Sequence, residues 1–342
     1  MNNNKKNQDV YVIAEIGHNH QGDILKAKEL FSQAKICGAN AVKLQKRNNK
    51  ELYVKSFYDL PYDNPNSYGK TYGEHREALE FSKEQYLHLQ QHAKNLEIDF
   101  FATPFDFSSV DFLEELNMPF YKIASADLNN LPLQEYIAKK SKPIFLSTGG
   151  GTLEDVKRAV NWILRFNKKL TLLHCTASYP CNIEDMNLSV ISMFKKEFPD
   201  LIIGLSDHEN GIDASVIAYM LGARVFEKHF TLNRASKGTD HSFSLEPNGL
   251  YKFVRNLKRI DKMIGSGQKT LLESEKKPLY KMKKSIVAKK KLNSGHLLTM
   301  EDIEFRSPGN GIDPYRYNEI LGKRIKKDIE YQDIILLENL EN

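Results

Sequence analysis

The stretch LIIGLSDHENGIDASVIAYMLGARVFEKHF, residues 201–230, decides how this chain is read. Two short runs rich in Ile, Leu, Val and Phe, at 201–206 and 223–230, flank a longer segment that stops at Gly222. Strand, helix and strand in that order make a parallel pair, because only a crossover returns the chain to run in the same direction again. The same alternation precedes it. Strand candidates are YVIAEI (11–16), AVKLQ (41–45), DFFAT (99–103), FYKIA (120–124), PIFLST (143–148) and LTLLHCT (170–176), which brings the set to eight. Between the first two, DILKAKELFSQAKICG places Ile24, Ala27, Leu30, Phe31 and Ala34 on one helical face and ends at Gly38. Eight strand–helix units between residues 10 and 265 predict an α/β fold of the TIM (β/α)8 type, which takes roughly 250 residues. A doubly wound sheet would show fewer strands and a glycine fingerprint after the first.

Beyond residue 265 the pattern changes to a polar connector and then to short strands with turns. The expected division is a catalytic barrel over 1–265, a linker over 266–283 and a small β-rich domain over 284–342. With 41% hydrophobic and 27% charged residues, the composition excludes a disordered or collagen-like chain. Cys37, Cys175 and Cys181 form no CxxC pair, which argues against a disulfide framework or zinc cluster and for a reducing, cytoplasmic setting. The start, MNNNKKNQDV, lacks a signal peptide's apolar stretch, and no apolar run of about 18 residues predicts a membrane span. The net charge of +5 is local, since Lys276 to Lys291 holds eight lysines and no acid. That run reads as a solvated hinge rather than a nucleic-acid face.

In a barrel, the C-terminal strand ends converge on one cavity. Glu15, Lys43, Gln45, Thr103, Lys122, Ser125, Ser147, Thr148, Ser206, His208 and His229 all fall at such ends and are expected to face one another. Lys43 and Lys122 sit in apolar runs, where burying an ammonium demands an anion or an acid beside it. A small multiply charged anion meets that demand, and the hydroxyls of Thr103, Ser125, Ser147 and Ser206 can donate to its oxygens. His208 and His229 end the last two strands and can hold one divalent ion with sites left open for water and substrate. His174 and Cys175 read as structural, and His18 and His20 stay open between site and loop. Gly149–Gly151 is a simple turn as readily as an anion cradle. The longest insertion, 47–82, is expected above the mouth, its tyrosines stacking on a sugar or packing on one another.

These motifs resemble the sialic acid synthase (N-acylneuraminate synthase) family. The likeness is carried by AEIGHNHQGD (14–23), GANAVKLQ (38–45), FATPFD (101–106), FYKIASAD (120–127), LSTGG (146–150), LHCTASYPC (173–181), GLSDH (204–208) and EKHFT (227–231). GHLLTMEDIEFRSPGNGI and LGKRIKKDI resemble the antifreeze-like (SAF, β-clip) domain of that family. The resemblance implies condensation of phosphoenolpyruvate with an N-acyl hexosamine such as N-acetylmannosamine, giving a nine-carbon 2-keto acid and phosphate. It implies phosphoenolpyruvate on Lys43, Thr103, Lys122, Ser125, Ser147 and Ser206, and a divalent metal, Mn2+ with Mg2+, Co2+ or Zn2+ as alternatives, on His208 and His229. It further implies catalytic roles for Glu15, His208 and His229, sugar contacts from Gln45, Tyr179 and Asp240, an acid at Asp127, and a domain-swapped homodimer without nucleic-acid or membrane partners.

The chain also departs from that family's pattern. Ala177 stands where many members place Asn, and Ser307 where many place an Arg that reaches the N-acyl group, so Arg306 takes that role only if its loop shifts by one residue. The TYGEHREALE segment differs too, and legionaminic- and pseudaminic-type sugars stay open as substrates. Two other readings compete: a Schiff-base pyruvate aldolase using Lys43 or Lys122, and a non-catalytic sugar-binding protein.

Overall fold

The computed structural model describes residues 10–341. They divide at 264/265 into two units. In the first, β1 (Tyr11–Gly17), β2 (Ala41–Lys46), β3 (Asp99–Pro104), β4 (Tyr121–Ile123), β5 (Ile144–Ser147), β6 (Leu170–Cys175), β7 (Ile202–Asp207) and β8 (Val225–His229) pair in chain order. The sheet is a closed barrel, with β8 paired in parallel to β1. All eight expected strands are present, their ends shifted by a residue or two.

Alternation along the strands builds the interior in layers. Ile13, Ala41, Phe101, Phe145, Leu173 and Val225 form a small apolar plug inside the barrel. Val12, Ala14, Ile16, Val42, Leu44, Leu146, Leu172 and Phe226 face the other way and pack under the helices in the main core. Two residues above the plug on the same strands stand Glu15, Lys43, Thr103, Ser147, Cys175 and Glu227. Hence a period of two, apolar at the base and polar above, sets the site upon a dry floor. The helices follow the matching logic. In Ile24–Ile36, Asp23 caps the N-terminus by accepting from the Leu25 and Lys26 N–H groups, and Ala27, Leu30, Phe31 and Ala34 are buried.

The insertion 47–82 holds three short helices, Asn49–Leu52, Lys55–Tyr58 and Tyr72–Glu77. Its aromatics pack on one another: the Tyr72 ring centroid lies 4.8 Å from Phe57 and 5.2 Å from both Tyr53 and Tyr62.

The second unit contains a helix, Glu273–Met282, and an antiparallel pair, β9 (Ser285–Ala288) with β10 (Ile303–Arg306). Ile286, Leu292, Leu298, Ile303, Ile320, Ile325, Ile329 and Ile335 make its core. The lysine run is not confined to a hinge, because Lys283, Lys290 and Lys291 pair with Asp313, Asp302 and Glu330 inside this unit. No helix among the described residues is long and apolar enough to cross a membrane.

Candidate active site

A cavity of about 760 Å³ opens at the C-terminal end of the barrel strands. Twelve of the thirteen residues expected to form the site line it: Glu15, Lys43, Gln45, Thr103, Lys122, Ser125, Ser147, Tyr179, Ser206, His208, His229 and Asp240. The thirteenth, Arg306, lies in the second unit on β10 and pairs with Glu304 at 2.8 Å. Thr148 does not join them. As the neighbour of inward-facing Ser147 it turns outward, and its hydroxyl donates to the Leu173 carbonyl at 3.0 Å. Asp127 is buried but accepts from Asn130 at 3.0 Å rather than lining the cavity.

Four charged groups meet on the floor. The Lys43 ammonium lies 2.8 Å from Glu15 and 3.7 Å from Glu227, and donates to Thr103 Oγ1 at 2.9 Å. Lys122 lies 3.6 Å from Glu227, whose other close contact is the Ser206 hydroxyl donating at 3.0 Å. The demand for an acid or an anion beside the lysines is thus met first from within, by Glu15 and by Glu227, a residue the sequence reading did not assign. The signal was present, since Glu227 and His229 share strand parity while Lys228 turns outward to Asp207 at 2.7 Å.

These pairings set the protonation states. Burial pulls the Lys43 pKa down, but Glu15 and Glu227 outweigh it and hold it above the ordinary value. For Lys122 burial wins over the attraction of Glu227, Lys43 adds repulsion, and the pKa is lowered. Burial raises the pKa of Glu227, yet Lys122, Lys43 and the Ser206 hydroxyl bring it down to about 2. Room for an anion remains above this floor. Ser147 Oγ is buried without a hydrogen-bond partner, and Ser125 Oγ accepts from the N–H of Gly149, at the start of the glycine turn, at 2.9 Å. Ala177 lies beside Gly149 of that turn, and its methyl offers no side-chain amide there.

His208 and His229 stand side by side, ring centroids 5.4 Å apart, with Tyr179 over His208 at 4.2 Å. Burial lowers the His208 pKa to about 3, so its ring is neutral. Its Nδ1 lies 2.9 Å from the Thr176 carbonyl, which assigns the proton to Nδ1 and leaves Nε2 a free lone pair. His229 Nδ1 is buried with no hydrogen bond, 3.7 Å from Asp240 Oδ2. This donor set fits a divalent ion that takes its remaining ligands from water or substrate, although no group of three or more His, Cys, Asp or Glu among the described residues is placed to hold one alone. Cys175 lies near His208, but burial raises its pKa and keeps it a thiol. Above the pair, Gln45 donates to Glu15 at 2.9 Å. A side chain at Gly17, where φ is +53°, would meet the tips of Glu15, Gln45 and Asp240 within 3.4 Å, so these three converge.

The two open histidines separate. His18 lines the cavity, whereas His20 accepts from the Gly22 N–H at 3.0 Å and stacks on Phe81. His174 is structural, bonded to the Met186 carbonyl at 2.7 Å. Arg47 and Arg76 also line the cavity and were missed, because neither lies within a predicted strand.

The NeuB family matches residues 30–269, and the SAF domain family matches residues 283–341. Human N-acetylneuraminate-9-phosphate synthase is 41% identical over 333 residues, covering 97% of this chain and 93% of the human one. The N,N'-diacetyllegionaminic acid synthase of Campylobacter jejuni is 38% identical over 328 residues, covering 95% and 98%. The crystal structure of a sialic acid synthetase from Leptospira borgpetersenii in complex with citrate matches with a TM-score of 0.69 and 33% identity, covering 81% of this chain and 94% of that one.

Proposed function

The chain belongs to the NeuB family and ends in a SAF domain, and from that premise we propose that it condenses phosphoenolpyruvate with the open-chain aldehyde of an N-acyl hexosamine. The products are a nine-carbon 2-keto sugar acid and phosphate. The observation that carries this reading is one cavity with two lysines and a partnerless serine hydroxyl on its floor and two adjoining imidazoles above them.

Phosphoenolpyruvate is held by Lys43, Lys122, Thr103, Ser125, Ser147 and Ser206, whose ammonium and hydroxyl donors match its carboxylate and phosphate oxygens. Gln45, Tyr179 and Asp240 hold the sugar with its aldehyde over C3. The enol electron pair forms the new C–C bond as the aldehyde C=O π pair moves onto its oxygen, and the developing positive charge at C2 lies near the Glu15 and Glu227 carboxylates. Water then adds at C2, Glu15 takes one of its protons and returns it to the sugar oxygen, and the C2–O bond to phosphate breaks as the remaining hydroxyl proton passes to the departing phosphate, leaving the ketone. His208 and His229 hold a divalent ion, proposed as Mn2+, which when bound supplies Lewis acidity at the sugar carbonyl. Positioning of two substrates in one cavity supplies much of the remaining rate.

The three cysteines are free and buried, which fits a reducing cytoplasm, and the proposal includes a homodimer to be read by sizing and light scattering. His208→Ala and His229→Ala are each expected to lower turnover at least about 100-fold in Mn2+. Near-wild-type release of phosphate by either variant in chelator would overturn the metal-assisted route. One observation favours the aldolase alternative, the lowered pKa of Lys122, as a nucleophilic amine requires. Borohydride trapping with pyruvate decides it: a covalent adduct indifferent to chelator supports the amine. The relatives named above differ in their sugars, one product bearing a 9-phosphate and the other two acetamido groups, so this chain's own cavity must decide the sugar.

A further inference from the structure

The rim of the same cavity carries two guanidiniums, Arg47 and Arg76, that no carboxylate among the described residues pairs directly, Glu80 and Asp240 acting on them only at longer range. From Lys43 through Gln45 on β2 to Arg47, just beyond its end, is four residues or roughly 13 Å of extended chain. At the lower end Glu15 and Glu227 balance the lysines. At the upper end Arg47 Nη2 donates to Gln45 Oε1 at 2.6 Å, and the guanidinium stacks on Phe105 at 3.9 Å. Arg76, carried on the helix Tyr72–Glu77 of the insertion, spends two N–H groups on the Tyr72 hydroxyl. Among the described residues neither guanidinium has a carboxylate within 4.0 Å. The nearby Glu80 is taken by Lys46 at 2.7 Å.

Between the two arginines lies a hydrogen-bonding conflict. Arg47 Nη1 is 3.0 Å from His18 Nε2, and Arg76 Nη1 is 3.2 Å from His18 Nδ1. Arginine only donates, while a neutral imidazole accepts at one nitrogen and donates at the other. One contact therefore sets N–H against N–H, and protonating the ring would make both unfavourable. An entering group rich in acceptors and negative charge relieves the conflict and balances both guanidiniums.

Resting on the synthase reading, we propose that Arg47, His18 and Arg76 form a second anion subsite for a phosphate monoester on the far end of the sugar. The substrate is then an N-acyl hexosamine phosphate in preference to the neutral sugar. Direction follows from the reaction: the aldehyde must meet phosphoenolpyruvate above the floor lysines, so the terminal carbon of the open chain points to the rim.

The test uses the full chain with Mn2+, saturating phosphoenolpyruvate, and N-acetylmannosamine against its 6-phosphate. The wild type is expected to favour the phosphate ester in kcat/KM by on the order of 100-fold, with the ester retained in the product mass. Arg76→Met should lower that ratio by on the order of 100-fold, and Arg76→Lys, which keeps the charge without the fork, by about tenfold. The KM for phosphoenolpyruvate should stay within about threefold. If Arg76→Met does not fold, judged by its melting curve, the wild-type ratio and the Lys variant decide. A preference for the neutral sugar, an unchanged ratio, or a matching rise in the KM for phosphoenolpyruvate would overturn the subsite while leaving the synthase reading in place. No turnover with either sugar, nor with a 2,4-diacetamido-6-deoxy hexose, would sink both.

Discussion

Replacing Glu227 by Gln removes one charge from a floor where Lys43 and Lys122 lie 3.7 and 3.6 Å away, and keeps the shape and a hydrogen bond to Ser206. Two routes give the magnitude. Moving the carboxyl from its ordinary 4.5 to about 2 corresponds to about 3 kcal/mol, at 1.36 kcal/mol per pH unit. Removing one partner of a buried pair costs roughly 3–5 kcal/mol. The folded-state pKa is depressed, so this stability is fully present above about pH 4.5 and is lost as the pH falls towards 2, and a comparison at pH 7 reads all of it. For a unit of this size about 3 kcal/mol lowers the melting temperature by roughly 6–12 °C. Phosphoenolpyruvate should restore more of the loss in Glu227→Gln than it adds to the wild type, because its anionic oxygens take over the lost charge. Thermal melts at pH 7 with and without the ligand are the assay. A variant as stable as the wild type would refute the claim that this carboxylate neutralises the lysines.

Lys122→Met should reduce kcat/KM for phosphoenolpyruvate by on the order of 100- to 1000-fold with a smaller change in the KM for the sugar, as initial rates will show. His20, outside the cavity floor, is pushed down to about 3 by burial, so the unfolded chain binds a proton between pH 6.5 and 3 that the folded chain refuses. Stability should therefore fall from pH 7 to pH 5, with His20 contributing about 2 kcal/mol that denaturant titrations of His20→Gln would find missing. At Gly204 a Cβ would stand 2.3 Å from the Val225 carbonyl oxygen, backbone that cannot yield, and Gly204→Ala should cost at least about 3 kcal/mol or abolish soluble expression.

Much of the site was readable because local periodicity and site geometry coincide in a barrel. Lys43 and Gln45, or Glu227 and His229, share parity on one strand, so knowing the strand and its direction tells which residues look inward and how high they stand. Thr148 shows the limit of reading strand ends without that parity: it follows Ser147 and so faces the helices, as His174 does beside Cys175. Arg47 and Arg76 escaped for another reason. One begins the long insertion and the other sits inside it, where neither alternation nor helical spacing assigns a direction. The tyrosines of that insertion were left open between sugar and self-packing, and the rings are found against one another.

Strand and helix order and the inward-facing parity of the lysines, hydroxyls and histidines were readable in the chain's own pattern, because each depends on neighbours within a few residues. Folding alone decided what those groups meet. Closure of β8 onto β1 brings Glu227 between Lys43 and Lys122, and the insertion lowers Arg76 onto His18. Electrostatic and hydrogen-bond partnerships depend on distance through space, and residues so far apart in sequence carry no local mark of the partner that will balance them, or of its absence.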